Sequence, residues 1–174
     1  FLLIVGSTSS AKTYSVLMAS DIYESTKLFR DRQIVNSNYT NLSSNLSSNP
    51  FKNTILRINL SEDSSRDDLL GTIVYDDKTN RFIFKQGAFT QAYENGYWLL
   101  LDELSLAPPS VLQAIEAALD TEKLTVQEIG STREITMNPN FFLVCTTNPN
   151  NEEYSRFNLS KEFLDRFHCI IYDN

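Results

Sequence analysis

Two short stretches carry residues able to handle a polyphosphate. The first is Gly6-Ser-Thr-Ser-Ser-Ala-Lys-Thr13, which follows the apolar run Phe1 to Val5. It precedes a helical pattern with Val16, Leu17, Ile22 and Tyr23 near one face. A strand, a tight turn and a helix in that order present backbone N–H groups at a helix N-terminus, where phosphate oxygens are held. Lys12 would reach the β and γ phosphates, and the Thr13 hydroxyl would ligate Mg2+. A loop of this kind is expected to read Gly-x-x-x-x-Gly-Lys-Thr, and Ala11 stands where the last glycine should be. Its methyl group crowds the phosphates, or costs about 1 kcal/mol if the backbone needs φ > 0. Taken alone, the stretch reads equally well as a Ser-rich turn that happens to precede Lys-Thr.

The second stretch is Leu99-Leu-Leu-Asp-Glu103, an apolar strand ending in two adjacent acids. Asp102 would hold the Mg2+ shell, while Glu103 would orient and polarise an attacking water. Two further segments lie at strand ends. Thr146-Thr-Asn-Pro149 places the amide of Asn148 where it can hold the water or the γ-phosphate. Leu164-Asp-Arg-Phe167 places Arg166 at the edge of the subunit, from which it would project into a neighbour's nucleotide. An arginine supplied in trans contributes about 10³–10⁵ in rate in related systems. Each segment has a plainer reading by itself: acids at an exposed turn, Asn148 in a turn, Arg166 as a helix C-terminal charge. In this order, each at a strand end, the four together describe a nucleotide-hydrolysing site.

The elements that must position these residues follow from the apolar pattern. Strands are expected at Phe1 to Val5, Ile55 to Leu60, Tyr97 to Glu103, Phe141 to Thr147 and His168 to Tyr172. The third is apolar without alternation, as a strand covered on both faces should be. A helix-length pattern follows the first strand. Ser64 to Leu70 makes one or two helical turns, capped by Ser64 or Ser65 and stopped by Gly71. Ala88 to Asn95 reads as a helix closed by Gly96, and Pro108-Pro109 opens another with Val111, Leu112, Ile115 and Leu119 on one stripe. Ser160 caps a short helix through Arg166. Ile73 to Tyr75 and Arg81 to Phe84 flank Asp76 to Asn80 as a hairpin, and Leu124 to Ile129 pairs with Arg133 to Met137 around Gly130-Ser131. Five apolar strands separated by helices argue for an α/β fold with a parallel sheet covered on both faces. From Asn36 to Asn49 ten of fourteen residues are Asn or Ser, which reads as a mobile surface loop. Its three Asn-x-Ser/Thr triplets arise by composition alone.

Composition sets the outer bounds. The 174 residues suit one sizeable domain, and 41% hydrophobic content supports a core. Fifteen basic against 22 acidic side chains leave −7, a balance that disfavours a direct nucleic-acid binder. Cys145 and Cys169 cannot make a disulfide framework and are most simply buried thiols in an intracellular setting. No run approaches the roughly 20 apolar residues that cross a bilayer, so no membrane partner is expected. His168 is the only histidine, so no His/Cys metal cluster can be assembled. Phe82, Phe84, Phe89, Tyr93 and Trp98 lack interleaved basic residues and read as core, not as a base-stacking platform. Glu62, Asp63, Asp67 and Asp68 read as a solvated acidic face. The chain does not begin with Met and opens on a strand, which suggests a segment of something longer.

With these motifs in register, the chain resembles the core ATPase domain of the dynein-related branch of the AAA+ family, and within it a midasin-type module. Dynein heavy chains and MoxR-type chaperones are further members of that branch. Gly6 to Thr13 resembles that branch's Gly-Pro-Thr-Ser-Ser-Gly-Lys-Thr. Arg57-Ile-Asn59, Leu70-Gly71, Gly87, Gly96-Tyr-Trp98 and Leu100-Leu-Asp-Glu-Leu-Ser-Leu-Ala-Pro108 continue the match, and Phe141 to Pro149 and Leu159 to Phe167 complete it. The resemblance implies a P-loop NTPase three-layer sandwich over 1–174, with strand order 5-1-4-3-2 and two β-hairpin inserts facing the substrate side of a ring; the helical lid that normally follows the fifth strand in the family is absent from this segment. It implies a Walker A loop of Gly6, Ser7, Thr8, Ser9, Ser10, Ala11, Lys12, Thr13 and Tyr14, with Thr13 and Asp102 at the metal. Glu103, Asn148 and Arg166 would be the catalytic acid, sensor and finger. Three departures stand out: Ala11; Ser105 in place of the usual Asn, which would loosen the turn beyond Glu103; and Asn151-Glu-Glu-Tyr-Ser-Arg156 in place of a Gly-Gly-Arg segment.

The expected activity is ATP binding and hydrolysis with Mg2+, by one AAA+ module of a hexameric or tandem ring that remodels a protein or ribonucleoprotein assembly. A midasin-type module would act on a maturing large ribosomal particle in the nucleus; other members of the branch would act in the cytoplasm. The rival is a structural ring module that binds nucleotide without hydrolysis, or binds none, because Ala11 degrades the loop.

Overall fold

Each apolar run expected to be a strand forms one. A computed structural model of the chain describes residues 1–7, 11–23, 55–148 and 159–172. The Asn/Ser-rich tract, Thr8, Ser9, Ser10, Pro149 and Asn151 to Arg156 lie outside the described residues. In chain order the elements are β1 (Leu2–Gly6), helix α1 (described over 12–23), β2 (Ile55–Asn59), α2 (Arg66–Leu70), β3 (Gly71–Asp76) and β4 (Arg81–Gln86). Then come α3 (Ala88–Asn95), β5 (Trp98–Asp102), α4 (Pro109–Thr121), β6 (Lys123–Glu128), β7 (Ser131–Thr136), β8 (Phe142–Thr147), α5 (Lys161–Leu164) and β9 (His168–Tyr172).

The five-stranded sheet runs β2-β5-β8-β1-β9 with every neighbouring pair parallel. Numbered along the sheet strands alone, that is the expected order 5-1-4-3-2. The two hairpins, β3–β4 and β6–β7, stand apart from it as separate two-stranded sheets. The register fixes where the strand ends fall. Leu101 pairs with Cys145 and Ile4 with Thr146. Asp102, Thr146 and the end of β1 therefore share one level at the carboxyl edge, where open α/β sheets hold ligands.

Alternation along the strands divides the core into two unequal layers. Leu3, Leu99, Leu101, Leu143 and Cys145 face α3 and α4 and join the larger cluster, while Ile4, Leu100 and Val144 face Val16 of α1. In the larger layer Phe89, Tyr93 and Phe141 pack ring to ring at 5.1–5.9 Å. The Tyr93 hydroxyl donates to Ala118 O at 2.7 Å, and its burial, with Glu122 nearby, pushes its pKa up to about 12. Ser65 caps α2 in a reciprocal box with Asp68, and those hydrogen bonds hold the Asp68 carboxyl below its usual value. Gly71 (φ 121) and Gly87 root the β3–β4 hairpin against α2, and a Cβ at Gly87 would lie 2.2 Å from Leu69 O.

Some surface assignments differ from expectation. Phe82 is exposed, because the β3–β4 hairpin is two-stranded and its outer ring pairs only with Tyr75 across the ladder at 5.3 Å. That hairpin runs to the Asp76–Arg81 pair, so its turn is shorter than read. On α1 the buried stripe is Lys12, Val16 and Ser20, while Ile22 and Tyr23 are exposed. Cys145 is buried, which pushes its thiol pKa up, but Cys169 is exposed because β9 is an edge strand. No helix among the described residues is long and apolar enough to cross a membrane.

Candidate nucleotide-binding site

At the carboxyl edge of β1, β5 and β8 the chain forms a cleft of about 380 Å³. Ala11, Lys12, Thr13 and Tyr14 line it from the α1 side, with Asp102, Glu103, Thr146 and Asn148 from the strand ends. Two cation–carboxylate systems organise it.

The first runs through Asn148. Lys12 is buried, and its Nζ donates to Gly6 O at 2.7 Å, Ser7 O at 2.8 Å and Asn148 Oδ1 at 2.8 Å. The other end of the same amide donates to both carboxylate oxygens of Glu103, at 2.8 and 2.9 Å. One buried amide thus ties the candidate phosphate-binding lysine to the candidate water-activating acid. Its acceptor and donor ends suit a cation on one side and an anion on the other, which no apolar or singly charged side chain of that size could do.

The second is centred on Asp102, which is only 4% exposed. Thr13 Oγ1 donates to its Oδ1 and Oδ2 at 3.0 and 3.2 Å, and Thr146 Oγ1 donates to Oδ1 at 2.5 Å. Arg57 reaches Oδ2 from β2 through Nε at 2.8 Å and Nη2 at 2.6 Å. A buried carboxylate is costly to leave without partners, and these groups supply them. The donor set, one hydroxyl beside one carboxylate, fits Mg2+. That ion keeps several waters and phosphate oxygens and asks few ligands of the protein. Among the described residues no group of three or more His, Cys, Asp or Glu could hold a metal by side chains alone.

The backbone is strained on both sides of this cleft. Ala11 sits at φ 57 and Glu103 at φ 58, both in the left-handed region that side chains with a Cβ disfavour. Of the two costs expected for Ala11, the conformational one is present. Such strain concentrates where surrounding structure over-determines a functional geometry. After Glu103 the chain closes a single 3₁₀ turn, with Leu106 N–H bonded to Glu103 O at 2.9 Å and Ala107 N–H to Leu104 O at 3.1 Å. The turn is closed in spite of Ser105. The residue is buried, and its Oγ has no hydrogen-bond partner among the described residues.

The structure brings Gly6, Ser7, Ala11, Lys12, Thr13, Asp102, Glu103 and Asn148 together, with Tyr14 exposed at the rim. Arg166 is elsewhere. It clasps Asp120 of α4 through Nε and Nη2 at 2.5 and 2.6 Å, and also reaches Glu116 and the carbonyl of Glu162. Arg57, Asn59 and Thr146 line the cleft and were not singled out from the sequence. Two of them come into view only with the register of β2 against β5. Arg57 and Asn59 are two apart on β2, so they share a face, and Asn59 pairs in register with Asp102.

The chain is also similar to known proteins. The family description "AAA domain (dynein-related subfamily)" matches residues 2–167. A midasin of Dictyostelium discoideum is 38% identical over 128 residues, 72% of this chain and 2% of that protein. A midasin of Giardia intestinalis is 32% identical over 117 residues, 67% of this chain and again 2% of the relative. The chain therefore spans a very small part of either midasin. Among solved structures, one titled as "a putative ATPase" from Cytophaga hutchinsonii superposes with a TM-score of 0.61 at 22% identity. It covers 99% of this chain and 41% of that one, a likeness of fold.

Proposed function

Because this chain belongs to the dynein-related subfamily of AAA domains, we propose that its cleft binds and hydrolyses ATP as one module of a ring. The observation that carries this reading is the Lys12–Asn148–Glu103 chain of hydrogen bonds. It joins the group that would neutralise the γ-phosphate to the group that would activate water, through one residue able to sense both.

The side chains would act in a definite order. Lys12 exchanges the carbonyls of Gly6 and Ser7 for phosphate oxygens, helped by N–H groups at the start of α1. Asn148 then loses its cationic partner and turns its amide toward the γ-phosphate or the water. Glu103, released from the bidentate grip, accepts a hydrogen bond from the water and aligns it for in-line attack. Thr13 and Asp102 would hold Mg2+, which when bound neutralises charge on the β and γ phosphates. Arg166 would act on a neighbouring module's nucleotide and not on this one. The similarity to midasins extends the proposal to remodelling of a ribonucleoprotein, a maturing large ribosomal particle in the nucleus.

A second reading is favoured by one observation, the strained Ala11 at φ 57. In it the module binds nucleotide without turnover, or binds none, and serves the ring structurally. Titration with a fluorescent ATP analogue and ATPase assay of Glu103→Gln separate the two. The hydrolytic reading expects binding by the natural chain and, in Glu103→Gln, retained binding with turnover reduced by about 10²-fold or more. Binding with turnover unaffected by the substitution assigns hydrolysis elsewhere, and absence of binding leaves the structural reading standing.

A further inference from the structure

Asp102 is already saturated before any metal arrives. A carboxylate offers about four lone-pair positions. Here Thr13 and Thr146 donate hydrogen bonds to Oδ1, Arg57 Nε donates one to Oδ2, and Arg57 Nη2 lies 2.6 Å from the same oxygen. The charges in the cleft also balance without a ligand, Lys12 and Arg57 against Asp102 and Glu103. A divalent cation approaching Thr13 and Asp102 therefore meets a positive charge already seated on the carboxylate.

We infer that Arg57 is a resident counter-cation of the metal seat, pairing with Asp102 in the unloaded cleft and leaving it when a divalent cation binds with nucleotide. This rests on the nucleotide-site reading above. The two partners differ in a way that suits exchange. The Asp102 side chain is 6% exposed and fixed by two threonine hydroxyls, whereas the Arg57 side chain is 54% exposed. The arginine can return its charge to water at small cost; the aspartate cannot. Arg57 comes from β2, so this edge of the sheet would register whether the cleft holds metal.

The test measures how strongly Mn2+ tightens binding of a fluorescent ATP analogue to the purified chain, for the natural sequence, Arg57→Gln and Arg57→Lys. Removing the competitor is expected to lower the Mn2+ concentration for half-maximal effect by about fivefold in Arg57→Gln. Affinity for the metal-free analogue should be equal or weaker in that variant. Arg57→Lys keeps the charge but loses the two-pronged contact, and should fall between. An Mn2+ midpoint that is unchanged or raised in Arg57→Gln overturns the inference, since a residue that merely shapes the seat would weaken metal binding when lost. If thermal melting shows Arg57→Gln to be unfolded, Arg57→Lys decides by the same criterion. Failure of the natural chain to bind the analogue at any Mn2+ concentration overturns the nucleotide-site reading itself, a distinct result.

Discussion

Two of the clusters in which a basic side chain meets carboxylates, the cleft and the surroundings of Arg166, behave as opposites. In the cleft, Lys12 and Asp102 are buried, and each is held by three or more groups from different elements. At the far end of α4, Arg166 meets Asp120 and Glu116 at comparable or shorter distances, yet Asp120 is exposed and Arg166 and Glu116 are only half-buried. Hydrogen-bond length alone would rank the second cluster as the stronger. Environment reverses that ranking. A buried pair is expensive to leave unmatched, so a ligand entering the cleft must replace each contact it breaks. A solvated pair exchanges its partners with water at little cost. The cleft is therefore built for coupled rearrangement, whereas the Arg166 clasp can change its partners without one.

The sharpest way to break this contrast is to cut the cleft's bridge. Asn148→Ala removes the acceptor for Lys12 and the donor for Glu103 together, and is expected to lower ATP turnover by about 100-fold. Affinity for an ATP analogue should change less than tenfold, because the backbone cradle and Lys12 remain. A loss of turnover below tenfold would mean that the two charges are organised independently. Next in size is the strain beside the bridge. Ala11→Gly relieves a φ of 57 but adds freedom to the unfolded chain, so the net gain is about 0.5–1 kcal/mol, or ~1–4 °C in Tm. A lower Tm in a melting experiment would show that the methyl group contributes packing that outweighs its strain.

Much of this contrast was legible in the sequence, for identifiable reasons. Lys12, Thr13, Asp102, Glu103 and Asn148 sit at strand ends or at the start of a helix, and a parallel sheet brings such ends to one edge whatever the loops between them. The positive φ at Ala11 could be anticipated because the loop pattern asks for glycine there. Arg57 was not legible as a site residue. An arginine on an edge strand looks like any solvated charge until the register sets Asn59 beside Asp102. The partners of Arg166 were hidden for a similar reason: Glu116 and Asp120 are some fifty residues earlier in the chain, and only the folded structure brings Arg166 to them. Phe82, Ile22, Tyr23 and Cys169 were read as interior because apolar type was taken for burial. Two-stranded hairpins, helix outer faces and edge strands leave such residues in water.

The smallest effect is expected at the clasp, and its pH dependence carries the argument. Hydrogen bonding from Arg166, aided by its charge, holds the Asp120 carboxyl below its ordinary value of 3.8. A depressed carboxyl contributes stability that is fully present above the unfolded-state value and is lost as pH falls through the folded one. Asp120→Asn should therefore lower Tm by a constant amount from neutral pH down to about 4, and the two melting curves should converge below that. The constant difference should be about 1 °C or less, as for an ion pair open to solvent. A drop of several degrees at neutral pH would show the clasp to be part of what holds the fold. Arg166 would then be a structural residue of this module, and the distinction between a buried cluster that must rearrange and an outer one that can let go would fail.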